Sequence, residues 1–195
     1  LEAFSRYCKN KSISTGAQNC YHKDNFGSYT GVISPYMIKI SGAKYVIIGH
    51  SDNRAEGDTD KILRKKISFA LNNNLKVIYC VGENKIEKAK KKTFSVLRKQ
   101  LVRVLTKKSN SNNTIVAYEP IWSIGTGKTP TSKDLEKTVI FIKRIFKNFK
   151  VLYGGSVDGL SVINYKSLDD LDGFLIGGAS KSSKKFIDII KNYYR

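Results

Sequence analysis

The chain has 195 residues, 41% of them hydrophobic and 26% charged, with a formal net charge of +19. This is the composition of a globular protein large enough to bury a core, and no apolar run reaches the ~20 residues a spanning helix needs. Leu1 to Lys11 is mixed and polar, without the pattern of a signal peptide.

Cys8, Cys20 and Cys80 are an odd number without metal-ligand spacing. They read as reduced thiols of a cytoplasmic protein, with Cys80 a small core residue. So strong a positive charge suits either nucleic acid or an anionic substrate. The basic residues are spread out, as in Lys88, Lys90, Lys91, Lys92, Lys107, Lys108, Lys143, Lys147 and Lys150, and no aromatic-interleaved basic stripe appears. The expectation is a solvated basic surface on outward helix faces, with no nucleic-acid partner and no membrane.

Strands and helices alternate from one end to the other. Ile13 to Asn19 reads as a strand, Pro35 to Ser41 as a short helix and Tyr45 to Gly49 as a strand. Asp60 to Asn73 reads as a helix with Thr59 as its cap. Lys76 to Val81 is a strand, followed by one long basic helix from Ile86 to about Thr106. Ser109 to Asn113 is a loop, and Thr114 to Glu119 a strand. Ser132 is placed as the cap of a helix reaching about Phe146. Val151 to Tyr153 and Gly173 to Ile176 are strands, with a short helix from Leu160 to Tyr165 between them. Lys184 to Tyr194 is the last helix. The strands are short and apolar rather than alternating, as in a parallel sheet covered by helices. Six strand–helix units follow one another with no linker, which predicts a single α/β domain over residues 1–195.

The suggestive residues gather at strand ends: Gln18-Asn19, Gly49-His50-Ser51, Gly82-Glu83, Glu119, Gly154-Gly155-Ser156 and Gly177-Gly178. In a (β/α) barrel these ends share one mouth; in a doubly wound sheet they form a crevice. Ala117 to Gly127 carries the most. A buried strand delivers Glu119, Pro120 stops it, and a loop with Trp122, Gly125 and Gly127 follows. That order suits a buried base under a hinged lid; a solvated Glu before an ordinary turn is the plain alternative. His50, after an apolar strand, suits a hydrogen-bond donor to a carbonyl or a structural ring, while His22 lies in a polar loop and reads as solvated. The two glycine turns, each before a short helical stretch, let backbone amides approach a phosphate. Aldose–ketose isomerisation needs a base, a neutral electrophile, amides for a phosphate and a water-excluding lid. Glu119, His50, the glycine turns and the Trp122 loop fit those four roles.

Read together, these segments resemble the triosephosphate isomerase family almost end to end. The matching stretches are Gly16-Ala17-Gln18-Asn19, Gly27-Ser28-Tyr29-Thr30-Gly31, Gly42 to Ser51, and Cys80-Val81-Gly82-Glu83. They continue with Ala117 to Thr129, Tyr153 to Val157 and Gly173 to Ser180. The resemblance implies a TIM barrel of the (β/α)8 family, with about six βα units in this chain. It implies interconversion of dihydroxyacetone phosphate and D-glyceraldehyde 3-phosphate, in glycolysis and gluconeogenesis, without cofactor or metal. On the matching positions, Glu119 is the base and His50 the electrophile. Pro120 to Thr129 is the closing loop. Gly125, Ser156, Gly177 and Gly178 bind the phosphate. Glu83 is the partner of Trp122, and Ser51 meets the base in its open position. The Gln18 to Ser34 loop is the dimer loop, with Thr30 near its tip, which implies a homodimer.

The chain departs from the family at two places. No Asn-x-Lys strand precedes Gln18, so an amino-terminally incomplete member is expected, lacking the first strand, first helix and most or all of the second strand. The alternative reading is an inactive remnant that binds phosphate only. After His50 the family has Ser-Glu-Arg-Arg, where this chain has Ser51-Asp52-Asn53-Arg54. The shorter Asp52 and the uncharged Asn53 weaken contacts around the dimer loop.

Overall fold

The computed structural model describes residues 1–23 and 27–194. Residues 24–26, inside the Gln18 to Ser34 loop, lie outside the described residues. The chain divides into two compact units, Leu1–Cys80 with Gln100–Ile115, and Val81–Lys99 with Val116–Arg195.

The first unit contains helix α1 (Glu2–Cys8), strand β1 (Gly16–Ala17), α2 (Pro35–Ile40), β2 (Tyr45–Ile48), α3 (Ser51–Ala55) and α4 (Asp60–Asn72). It also holds most of β3 (Lys76–Val81) and the end of α6 (Thr93–Val104). Its strands are parallel and neighbours in chain order, with Gly16 opposite Tyr45 and Ile48 opposite Tyr79. A Cβ at Gly16 would stand 3.0 Å from the Tyr45 Cβ, so the close approach of β1 to β2 favours glycine. The strand expected over Ile13 to Asn19 is reduced to these two residues. Ile13 is exposed, and Asn19 turns its side chain back to accept from the Cys20 amide at 2.8 Å.

Helix α4 shows how the sequence builds an element. The Thr59 hydroxyl accepts from the Ile62 amide, Asp60 complements the helix dipole, and Leu63, Ile67 and Ala70 are fully buried. Burying each of the two large side chains contributes roughly 1.5–3 kcal/mol. The helix ends where Asn74 takes φ +55° and the Leu75 amide reaches back to the Ala70 carbonyl. On the same helix Lys66 is an exception to the outward basic faces. It is 5% exposed, and its ammonium donates to Asp58 at 2.7 Å and to the Asn19 side chain at 2.9 Å.

The second unit takes the end of β3, α5 (Lys85–Ala89), the start of α6, the end of β4 (Thr114–Tyr118), α7 (Ser132–Ile145), β5 (Lys150–Tyr153), β6 (Gly173–Phe174) and α8 (Ser183–Tyr194). Single 3₁₀ turns cover Ile121–Ser123, Ser161–Tyr165 and Gly178–Lys181. The Glu119 amide donates to the Val81 carbonyl and the Gly154 amide to the Tyr118 carbonyl, tying successive strand ends together. β5 and β6 pair in parallel, and one further bond, Leu175 to Tyr153, extends the pair past Phe174. The core includes Val116, Ala117, Leu135, Ile142, Val151 and Tyr153, all fully buried.

Three expectations change here. The single helix from Ile86 to Thr106 is two helices, because Lys91 adopts φ +54° and the Lys92 amide closes back on the Glu87 carbonyl. Ile86, where that helix was expected to begin, is 66% exposed, whereas Leu97, Leu101 and Val104 are fully buried. The cap of α7 is Thr131, whose hydroxyl accepts from the Asp134 amide; Ser132 instead donates to the Asn164 carbonyl at 2.6 Å. His22 is half-buried against Tyr21, ring centroids 4.3 Å apart, rather than solvated. Burial, and then Lys65, Lys23 and Lys66, hold its imidazole below the usual histidine range.

No helix among the described residues is long and apolar enough to cross a membrane. All three cysteines are buried free thiols. Burial pushes the Cys20 thiol up to about 12, against an opposing pull from Lys66.

Candidate active site

In the second unit, Glu119 leaves the carboxyl end of β4 only 4% exposed. Two glycines make its place. A Cβ at Gly82 would stand 1.9 Å from the Glu119 carbonyl oxygen, and one at Gly154 would stand 2.6 Å from the Glu119 Cγ and 3.0 Å from its Oε1. The first glycine admits the Glu119 backbone and the second its side chain. Neither role was legible in the sequence, where Gly82 read as a strand-end residue and Gly154 as part of a phosphate-approaching turn.

Pro120 ends β4, and the 3₁₀ turn Ile121–Ser123 carries Trp122 over Glu83. The indole Nε1 donates to the Glu83 Oε1 at 2.9 Å, and the Tyr118 hydroxyl donates to both carboxylate oxygens at 3.2 Å. Glu83 has no exposed surface. Burial, and next the Glu83 charge, push the Tyr118 phenol far above its ordinary range, so it stays a proton donor. Tyr118 received no role from the sequence; its signal was adjacency to Glu119 on a buried strand. The ammonium of Lys88 lies over the indole, 3.8 Å from its centroid.

The loop is tied to the Gly154 turn. The Ser156 hydroxyl donates to the Ser123 carbonyl at 2.5 Å and accepts from the Gly127 amide at 3.1 Å. The Ser156 amide points to the Ser123 hydroxyl at 3.3 Å. Ser156 thus meets the loop at both of its polar groups. Gly125 has φ +67° and is exposed, with open space around its Cα. Gly177 and Gly178 are exposed at the start of the 3₁₀ turn Gly178–Lys181, again with open space around them.

In the first unit, His50 caps α3. Its Nδ1 accepts from the Asp52 amide at 3.3 Å, which in a neutral ring leaves the proton on Nε2. The Asp52 carboxylate is 3.5 Å from the same nitrogen but 81% exposed and screened by water. Ser51 opens the helix, half-buried. Gly49 bends the chain into His50 with φ +84°, and a Cβ there would meet the Tyr79 ring at 2.9 Å. Arg54, given no role in the sequence, braces this bend. It donates to the Gly49 carbonyl at 2.8 Å, the Tyr79 hydroxyl at 3.0 Å and the Cys80 carbonyl at 3.1 Å.

Gln18 and Thr30 are exposed in the loop before α2. That loop is closed by the Tyr21 amide bonded to the Ile33 carbonyl and by the Tyr21 and Tyr29 rings, 5.4 Å apart. Among the described residues no group of three His, Cys, Asp or Glu side chains is arranged to hold a metal ion.

A family model described as triosephosphate isomerase matches residues 1–193. Among curated proteins, the chain is similar to triosephosphate isomerase of Finegoldia magna, 37% identical across 99% of this chain and 81% of that one. The Saccharomyces cerevisiae enzyme of the same name is 39% identical across 94% of this chain and 77% of its own length. The crystal structure of triosephosphate isomerase from Bartonella henselae superposes with a TM-score of 0.88 at 35% identity, covering 98% of this chain and 82% of that one. The fold is of the TIM-barrel class, with six strand–helix units among the described residues. The chain belongs to the triosephosphate isomerase family, a family of isomerases.

Proposed function

We propose that this protein interconverts dihydroxyacetone phosphate and D-glyceraldehyde 3-phosphate through an enediolate. Glu119 moves the proton between the two carbons, and the His50 Nε2–H polarises the carbonyl oxygen. The observation that carries the reading is the Glu119 carboxylate, 4% exposed at a strand's end and seated against Gly154 under the Trp122 loop. A carboxylate held out of bulk water is set up for proton transfer to carbon, and a neutral imidazole can stabilise the developing oxyanion.

Gly125, Gly177 and Gly178, together with Ser156, take the substrate phosphate, since glycine leaves backbone N–H groups accessible to an anion. Pro120 to Thr129 closes over the substrate and keeps water from the enediolate, which otherwise expels phosphate. The Trp122–Glu83 and Gly127–Ser156 bonds are the contacts expected of the closed loop. The working protein is a homodimer in the cytoplasm, with Gln18, Thr30 and their loop against a second copy.

The test is to incubate the protein with dihydroxyacetone phosphate in deuterium oxide. Deuterium on the carbon next to the carbonyl of the aldose product, gained with turnover, supports the proposal. Retention of phosphoglycolate with no deuterium incorporation would assign the phosphate-only reading instead.

Gly154→Ala probes the seat of the base. The added methyl cannot coexist with the Glu119 Cγ at 2.6 Å, so the carboxylate must move. A displacement of about 1 Å typically costs on the order of 10²-fold in rate. Steady-state kinetics are expected to show that loss in kcat with KM nearly unchanged.

A further inference from the structure

We propose that Lys88 is a positioning residue for the lid, its ammonium holding the Trp122 indole in the state bonded to Glu83. This rests on reading Pro120 to Thr129 as the lid. Nothing in the family-like motifs points to Lys88; the contact itself does.

The indole is held by two different constraints. Its Nε1–H donates to Glu83 at 2.9 Å, which fixes the edge of the ring but leaves rotation about that bond. Lys88 Nζ lies 3.8 Å from the ring centroid, which fixes the face. Tryptophan is the side chain best suited to hold a cation in this way. The lysine is itself presented rigidly. α5 begins with a reciprocal cap in which the Asn84 side chain accepts from the Glu87 amide and the Glu87 carboxylate accepts from the Asn84 amide. That cap sets the first turn, and Lys88 stands in the next position, half-buried rather than extended into water. The constraint then passes along the loop, because Thr126 Oγ1 donates to the Trp122 carbonyl at 3.0 Å and Gly127 N–H donates to Ser156. Fixing the indole therefore favours the arrangement in which the glycine segment meets Ser156.

Trp122 is the only tryptophan in the chain, so intrinsic fluorescence reports on this ring alone. Lys88→Met keeps most of the unbranched side chain and removes the charge; Lys88→Arg keeps the charge. The full chain of each is compared with the unaltered protein. Lys88→Met is expected to shift the emission, to raise quenching by acrylamide, and to weaken phosphoglycolate binding and raise KM roughly fivefold, with a smaller change in kcat. Lys88→Arg is expected to restore most of both. Far-ultraviolet circular dichroism of the three should coincide. An indole that does not loosen in Lys88→Met, or an arginine variant that behaves like the methionine one, overturns the clamp whatever the loop does. An indole that loosens while analogue affinity and KM stay put overturns the lid reading and with it the role of Lys88 in turnover.

Discussion

Glu119→Gln is expected to lower kcat by about 10²- to 10⁴-fold, the usual range for removing a positioned general base. The two side chains have nearly the same volume, so the 4% exposed site keeps its packing against Gly154. What is lost is the ability to take a proton from carbon. The loss should appear equally in turnover and in deuterium incorporation, because both require the same proton transfer. KM should change little, since the phosphate-binding amides are untouched. Unfolding by urea should report a stability close to that of the unaltered protein, which separates lost chemistry from lost structure. A variant that retains kcat within about threefold would remove Glu119 from the role of base.

Lys66→Met is expected to cost about 3–5 kcal/mol of stability, the range for breaking a buried ion pair by deleting one partner. The pair is well withdrawn from water, with side chains 6% and 11% exposed at a separation of 2.7 Å. Without Lys66, Asp58 keeps a charge with little water around it, and the Asn19 side-chain Oδ1 loses one of its two donors. For a chain of this size the melting midpoint should fall by about 10 °C or more. The double variant Lys66→Met, Asp58→Asn should recover a large part of this, because no isolated charge remains. Cys20 supplies a second measurement. Its thiol is 5% exposed and pushed up to about 12, so a thiol reagent reaches it only when the surrounding structure opens. Labelling of Cys20 should therefore quicken in Lys66→Met and slow again in the double variant. Unchanged urea midpoints would show that the pair contributes nothing to the fold.

The features legible from the chain were those written locally. Lys76 to Val81 reads as a strand from its apolar run, and Thr59 as a cap from its place before an apolar period; both stand in the structure. The helix from Ile86 failed as a single element because three successive lysines leave no periodic signal, while the left-handed turn at Lys91 is a backbone event. Ser132 and Thr131 are both good caps by type, and the choice fell to Thr131 because Ser132 is drawn to the Asn164 carbonyl. Arg54 and Tyr118 drew no role because the side chains they bond, Tyr79 and Glu83, lie 25 and 35 residues away.

By itself the sequence determined the alternation of strands and helices, the family, and the residues placed at each strand's carboxyl end. It could do so because periodicity, caps and short motifs act over a few neighbouring residues. Only the tertiary structure decided that Gly82 and Gly154 clear a seat for Glu119, that Glu83 takes bonds from both Tyr118 and Trp122, that Lys66 pairs with Asp58 out of water and that Lys88 lies over the Trp122 ring. These depend on which distant atoms exclude one another or share a proton, and burial alone turns such contacts into free energy.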